Sequence, residues 1–309
     1  MKIAILGSQG LVGSAVVRKF KNNNLFTKVI SSNRETLNLF DYESVKKFIE
    51  QEKPDYIVNA AAKVGGILAN NTYRADFILE NLKINVNLLE SLIPFKNIKL
   101  INLGSSCIYP LNAKNPIKED YIMTGELEKT NSPYAMAKLT AIELGNSIQD
   151  QYGHKIVNLM PTNLYGPNDN FSDKNSHVIP GLMGRMHKTK NNKENKFAVW
   201  GTGNPLREFL YVDDLADAIL FIIENNVEGG LINIGSSDEI SISDLVDSMT
   251  KIIDYKGEII FNTEYPDGNP RKLLDSSKIL SYGWKPKVKI DEGLSRTYKW
   301  YLENISKNN

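Results

Sequence analysis

Tyr134 and Lys138 stand four residues apart in Tyr134-Ala135-Met136-Ala137-Lys138, with Pro133 just before them and helix-forming residues after. On a helix that spacing puts both side chains on one face, one turn apart, within reach of a common ligand. An unassisted phenol is a weak acid–base catalyst near neutrality, and a neighbouring ammonium stabilises the phenolate and moves the phenol toward the useful range. The same two residues also make an ordinary helix surface, so their meaning depends on what lies elsewhere in the chain. Ser105, in Gly104-Ser105-Ser106-Cys107-Ile108-Tyr109-Pro110, follows an apolar run. Its hydroxyl is the candidate to hold a substrate carbonyl beside the phenol, although serines in such places more often serve turns.

The third set of residues is glycine. Gly7, Gly10 and Gly13 form G-x-x-G-x-x-G between an apolar run and an amphipathic segment. There, missing side chains let the backbone of Gly7, Ser8, Gln9, Gly10, Leu11, Val12 and Gly13 approach a pyrophosphate at a helix N-terminus. Folds that prefer NAD commonly place an acid after the second strand to take the ribose hydroxyls. Here that place holds Ser31-Ser32-Asn33-Arg34. Arg34 offers a charged fork to a 2′-phosphate, which points to NADPH, and Glu35 beside it works against that reading.

The elements that must position these groups follow from the hydrophobic pattern. Lys2–Leu6, Lys28–Ser31, Tyr56–Ala61, Ile98–Leu103, Ile156–Met160 and Leu231–Ile234 read as buried strands, separated by helical segments such as Ile78–Ile93. That order predicts an α/β fold of Rossmann type with a doubly wound parallel sheet, whose strand ends share one edge. From Tyr165 onward Pro and Gly recur, through Gly166-Pro167, Gly201-Thr202-Gly203-Asn204-Pro205 and Pro266-Asp267-Gly268-Asn269-Pro270. A smaller C-terminal substrate lobe is expected there, built from about 166–209 and 237–309, with residues 1–165 and about 210–236 forming the cofactor-binding part. Asp213 and Asp214 precede a helical pattern and read as caps rather than catalysts. Asn191–Lys196 reads as a solvated loop.

Composition narrows the function. The 309 residues are 41% hydrophobic and 24% charged, with 37 basic against 36 acidic side chains and a net charge of +1. No global field favours nucleic acid or an anionic membrane, so anion binding must be local. Cys107 is the single cysteine, which excludes an internal disulfide and a cysteine-rich zinc site, and no metal is expected. No run suits a signal peptide or a membrane span, so a cytoplasmic protein is expected.

Beyond these patterns, the chain resembles the GDP-L-fucose synthase family of extended short-chain dehydrogenase/reductases, which are GDP-4-keto-6-deoxymannose 3,5-epimerase/4-reductases. The likeness runs essentially end to end. It is carried by Ala60-Ala61-Ala62-Lys63-Val64-Gly65-Gly66-Ile67, the Gly104–Pro110 segment, Tyr134 with Lys138, Pro161-Thr162-Asn163-Leu164-Tyr165-Gly166-Pro167, Asn175-Ser176-His177-Val178-Ile179-Pro180, Arg207-Glu208-Phe209 and 266–275. The resemblance implies NADPH-dependent reduction of a GDP-linked 4-keto deoxy sugar by Ser105, Tyr134 and Lys138. It implies that Cys107 and His177 provide base and acid for C3/C5 epimerisation. It places Leu103, Gly104, Pro161, Thr162, Asn163, Leu164, Arg34, Lys138 and His177 against the cofactor, and Arg185, Trp200, Arg207 and Asp267 against the sugar nucleotide. A homodimer is implied as well. Two departures bear on the sugar: Met183-Gly184-Arg185-Met186-His187 has one arginine where an adjacent pair is usual, and the connection before Leu231 is short.

Three alternatives remain at this level. A dedicated C4 reductase of a deoxy-hexose or deoxy-heptose would lack epimerase activity. A nucleotide-sugar 4-epimerase or 4,6-dehydratase would keep its cofactor bound, yet dehydratases carry an Asp-Glu pair where this chain has Cys107-Ile108. A redox sensor would have no use for Tyr134 and Lys138. Stoichiometric consumption of NADPH with a GDP-4-keto sugar separates the reductases from the other two.

Overall fold

The first apolar run is β1 (Lys2–Leu6), and its side chains alternate between two buried layers: Ile3 and Ile5 enter one hydrophobic cluster, Ala4 and Leu6 another. A strand buried on both faces needs helices on both sides. The computed structural model, which describes residues 1–172, 176–265 and 267–306, supplies them. The chain continues through α1 (Leu11–Lys21), β2 (Lys28–Ser32), α2 (Tyr42–Glu52), β3 (Tyr56–Asn59), α3 (Ile67–Thr72), α4 (Arg74–Leu92), β4 (Lys99–Leu103), α5 (Ser132–Tyr152) and β5 (Ile156–Pro161). Then come β6 (Asn163–Tyr165), α6 (Val178–Asn191), β7 (Lys196–Trp200), β8 (Leu206–Tyr211), α7 (Val212–Glu224) and β9 (Gly230–Ile234). The last elements are β10 (Glu239–Ser241), α8 (Ile242–Ile253), β11 (Glu258–Asn262), β12 (Arg271–Lys272), α9 (Ser277–Tyr282) and α10 (Ile290–Asn304).

Six strands form one parallel sheet in the order β2-β1-β3-β4-β5-β9. The winding reverses between β1 and β3, so a crevice opens outside their carboxyl ends, the usual ligand site of such sheets. β4 and β5 end on that same edge. α1 and α7 cover one face of the sheet, while α2, α4 and α5 supply the helical residues of the layer on the other. The expected strands and the parallel sheet are present, with strand boundaries shifted by at most one residue, except that β3 stops at Asn59 rather than running on to Ala61.

A third cluster gathers Phe197, Val199, Phe209, Tyr211, Met183, Met186, Leu245, Met249, Leu294 and Tyr301 from β7, β8, α6, α8 and α10. Around it β8 pairs antiparallel with β10 and parallel with β6 and β12, and β7 pairs with β11. The polar stretch at 191–196 closes α6, makes a turn and opens β7.

The capping expectation for Asp213 and Asp214 fails. β8 runs directly into α7, whose N-cap is Tyr211 with no side-chain cap. Asp213 instead pairs with Arg18 on α1 at 2.6 Å. Asp214 accepts hydrogen bonds from the backbone N–H groups of Lys287 and Val288 at 3.0 and 2.9 Å. Both carboxylates still lie in the first turn, where the helix dipole favours them, but their partners tie distant segments to α7.

Candidate active site

The glycine turn has the geometry of a phosphate cradle. Gly7 has φ of +74°, and a Cβ there would stand 2.8 Å from the Ala61 Cα. A Cβ on Gly13 would fall 2.1 Å from the Gly7 carbonyl oxygen, so this glycine lets α1 close against the turn. Gly10 differs: it is the N-cap of α1 and a Cβ there would meet only that same oxygen, at 3.6 Å. α1 has neither a side-chain cap nor an acid in its first turn, leaving first-turn N–H groups and the positive end of the dipole for an anion. A dinucleotide pyrophosphate fits such a site.

Arg34 lies beyond β2 in a turn fixed by Asn33, whose Oδ1 accepts from the N–H groups of Glu35 and Thr36 at 3.0 and 3.1 Å. Arg34 is exposed and, among the described residues, makes no hydrogen bond or ion pair.

On the same edge, Leu103 ends β4 and the next residues turn into a short 3-10 segment, Ser106–Ile108. Ser105 caps it, its hydroxyl accepting from the Cys107 N–H at 3.2 Å. The Ser105 side chain lies near enough to Tyr134 to lower its pKa, and Tyr134 packs edge-on to Phe77 with centroids 6.4 Å apart. Lys138 lies one turn further along α5, buried, its Nζ donating to the Leu103 carbonyl at 2.7 Å and standing 5.8 Å from the centre of the Tyr134 ring. The structure thus brings Ser105, Tyr134, Lys138 and Cys107 together.

The electrostatics depart from the expectation of a lowered phenol. Burial and the nearby Cys107 push Tyr134 up, against the influence of Ser105, which lowers it. Burial brings Lys138 down to about 8. Burial therefore keeps Tyr134 protonated at neutral pH, as a proton donor to a carbonyl requires.

Pro161 ends β5 at this edge, and the side chains of Thr162 and Asn163 both donate to the Glu208 carbonyl, at 3.2 and 2.9 Å. Leu164 pairs with Leu210 in β6 and β8. His177 is the N-cap residue of α6. Its ring reaches solvent, though protein surrounds it closely enough that burial lowers its pKa, and the helix N-terminus also disfavours its charged form. Among the described residues it makes no hydrogen bond to Cys107 or Tyr134. Asn175 and Pro266, which belong to the motifs quoted above, lie outside the described residues.

The four residues expected at the sugar nucleotide form two linked groups. Arg185 lies over the Phe197 and Trp200 rings at 5.3 and 5.6 Å and donates to the Ala198 carbonyl. Trp200 stacks on Tyr265 with centroids 4.7 Å apart. Asp267 accepts from the Thr202 N–H and hydroxyl, which hold its carboxyl below the usual range. Arg207 lies alongside: burial lowers its pKa and Asp267 raises it.

Two charged residues escaped sequence reasoning. Glu208 is fully buried, and its carboxylate accepts from the Ser237 and Leu274 N–H groups at 2.8 and 3.1 Å. Lys272 brings its ammonium to 3.8 Å from the Cys107 sulfur. Only their places in the quoted Arg207-Glu208-Phe209 and 266–275 segments hinted at them, and neither segment gave them a role.

Comparison with known proteins agrees with this geometry. Residues 3–235 match the NAD dependent epimerase/dehydratase family. The chain is 48% identical over 304 residues to "Putative GDP-L-fucose synthase 2" of Arabidopsis thaliana, covering 98% of this chain and 92% of that one. Among solved structures, a GDP-L-fucose synthetase from Naegleria fowleri bound to NADP superimposes with TM-score 0.90 at 30% identity, covering 98% and 93% of the two chains. A GDP-mannoheptose C4 reductase from Campylobacter jejuni with NADP bound gives 0.86 at 34% identity, covering 97% and 98%. With the glycine cradle and the Ser105, Tyr134 and Lys138 cluster on one sheet edge, the chain belongs to the NAD dependent epimerase/dehydratase family and, within it, to the GDP-L-fucose synthase family.

Proposed function

We propose that the protein is an NADPH-dependent reductase of the 4-keto group of a GDP-linked 6-deoxy sugar, with C3/C5 epimerisation by Cys107 and His177. The observation that carries the reading is the meeting of Ser105, a protonated Tyr134 and Lys138 beside the carboxyl edge that holds the glycine cradle. When bound, the reduced nicotinamide supplies the hydride. Gly7–Gly13 and the first turn of α1 hold the pyrophosphate, Arg34 takes the 2′-phosphate, and Lys138 holds the nicotinamide ribose. Ser105 orients the C4 carbonyl, and Tyr134 gives its proton to the oxygen as that oxygen becomes negative.

A C4 ketone also acidifies the hydrogens on C3 and C5. Cys107 as thiolate removes one such proton, the electron pair moves onto the C4 oxygen between Ser105 and Tyr134, and the imidazolium form of His177, a minority at neutral pH because burial lowers its pKa, returns a proton to the opposite face. Solvent then resets thiol and imidazole. Arg185, Trp200, Arg207 and Asp267 bind the sugar nucleotide. The separate apolar cluster around β7, β8 and α8 supports assigning about 166–209 and 237–309 to a substrate lobe. Leu79, Val86 and Met136, left exposed on α4 and α5, support a homodimer.

The test is a reaction of purified protein with GDP-4-keto-6-deoxymannose. NADPH should be consumed one for one, and NMR should show product inverted at C3 and C5. Without NADPH, in heavy water, deuterium should enter C3 and C5 and should fail to enter with Cys107→Ser. Absence of exchange in the unmodified enzyme would leave a dedicated C4 reductase, and absence of NADPH consumption would remove the reading altogether.

A further inference from the structure

Lys272 is held by its strand rather than by its own side chain. β12 pairs with β8, Lys272 opposite Arg207. On one side Arg271 makes a two-pronged ion pair with Glu239, at 2.8 and 2.6 Å. On the other, the N–H of Leu273 donates to Asn115 at 2.7 Å and that of Leu274 to Glu208 at 3.1 Å. The backbone of this short strand is therefore pinned on both sides of Lys272, which projects its ammonium toward the 3-10 turn carrying Cys107.

The Cys107 sulfur is the hydrogen-bond partner of that ammonium, 3.8 Å away. Among the described residues no carboxylate lies within salt-bridge distance of Lys272. Three other groups bear on the pair. Tyr134 from α5 is uncharged at neutral pH, and Ser105 on the thiol's own turn is neutral. Glu128, before α5, feels the Lys272 charge; burial raises its pKa, but hydrogen bonds from Thr130 and Asn131 together with Lys272 bring it below the usual carboxylate range. It is thus an anion spent on its own loop, set against one cation in contact with the sulfur. A thiolate next to a lysine is the arrangement in which cysteines ionise early.

We propose that Lys272 is the positioning counter-charge of Cys107, an ammonium fixed by β12 that keeps the sulfur anionic and so able to take a proton from carbon. The inference deepens the epimerase reading and rests on it for its purpose, though not for its test.

Because Cys107 is the only cysteine, alkylation by iodoacetamide followed by intact mass reports this thiol alone. The rate is measured against pH on the full chain, with no substrate present. Lys272→Met keeps the chain's length and removes the charge. It should move the half-maximal pH up by about one unit, leaving roughly tenfold less thiolate at pH 7. Lys272→Arg should return the profile most of the way, which a purely structural role for the side chain would not explain, and thermal melts show whether both variants fold. In the deuterium exchange assay, Lys272→Met should be about tenfold slow at pH 7 and recover as pH rises. An unchanged alkylation profile in a folded Lys272→Met overturns the proposal. So does a shifted profile that Lys272→Arg fails to restore in a folded protein. A shifted and restored profile in a parent enzyme that exchanges no deuterium supports the pairing while refuting the epimerase reading.

Discussion

Gly10 and Gly13 look alike in sequence but should fail in different ways when changed to alanine. At Gly13 the new methyl would be 2.1 Å from the Gly7 oxygen, 2.7 Å from the Gly7 carbonyl carbon and 2.8 Å from the Ser8 Cα. All three are backbone atoms and cannot rotate away. α1 would have to lift from the turn, and overpacking of this kind costs roughly 1–3 kcal/mol, seen as a melting temperature lower by several degrees. At Gly10 the methyl meets only one oxygen, at 3.6 Å, and φ of −75° suits any residue. The fold should tolerate Gly10→Ala at a cost of about 1 kcal/mol or less, the preference for glycine over alanine at an N-cap. The methyl would, however, occupy the approach to the first-turn N–H groups of α1, and NADPH affinity should fall at least about tenfold, or roughly 1.4 kcal/mol. Melting by calorimetry and NADPH titration by fluorescence separate the two effects. A Gly10→Ala protein that binds NADPH like the parent would refute the placement of the pyrophosphate at this helix end.

Arg34→Ala should weaken NADPH by about ten- to a hundredfold, the loss of a charge-assisted contact worth roughly 1.5–3 kcal/mol, and leave NADH unchanged; equal use of both cofactors by the parent would contradict this. Tyr134→Phe should bind NADPH nearly normally and lose about two to four orders of magnitude in turnover, as expected for a missing general acid; an unchanged turnover would reject the assignment. Lys138 carries its charge below about 8 and loses it above. The value of kcat/KM for NADPH, which reports the free enzyme, should therefore fall as pH rises through about 8, and in Lys138→Arg that limb should disappear within the accessible range.

How far the sequence was legible depended on how local the cause was. β1 could be read because four consecutive residues, Ile3–Leu6, are buried on both faces, and Tyr134 with Lys138 because a helix alone fixes their relation. β6, β10 and β12 have two or three residues each, too short for any periodicity, and exist because β8 pairs with all three. The Val212-Asp213-Asp214 pattern suggested caps since it carries no trace of Arg18 or of the 287–288 segment that claims those carboxylates. Glu208 and Lys272 are of the same kind. Gly235 is a glycine in part because a Cβ there would strike the Glu208 carboxylate at 2.2 Å, a relation between residues 27 apart in the chain that no local pattern encodes.

The proton inventory of the site sets the order of the two proposed reactions. Burial keeps Tyr134 protonated and lowers His177, and the Lys272 ammonium stands 3.8 Å from the Cys107 sulfur. On the proposed reading Cys107 is the base, and the Tyr134 hydroxyl, still protonated, faces the same oxygen that must accept electron density in both reactions. Epimerisation needs the ketone, because only the carbonyl makes the C3 and C5 hydrogens acidic; reduction destroys that acidity once and for all. An enzyme doing both must exchange protons first and reduce last, and the reduction then traps whichever epimer Tyr134 and the hydride can reach together. On the proposed reading Arg185, which lies over Trp200, bears on that step through the pose of the nucleotide. Changes there should alter which epimer is trapped while leaving deuterium exchange at the carbons intact.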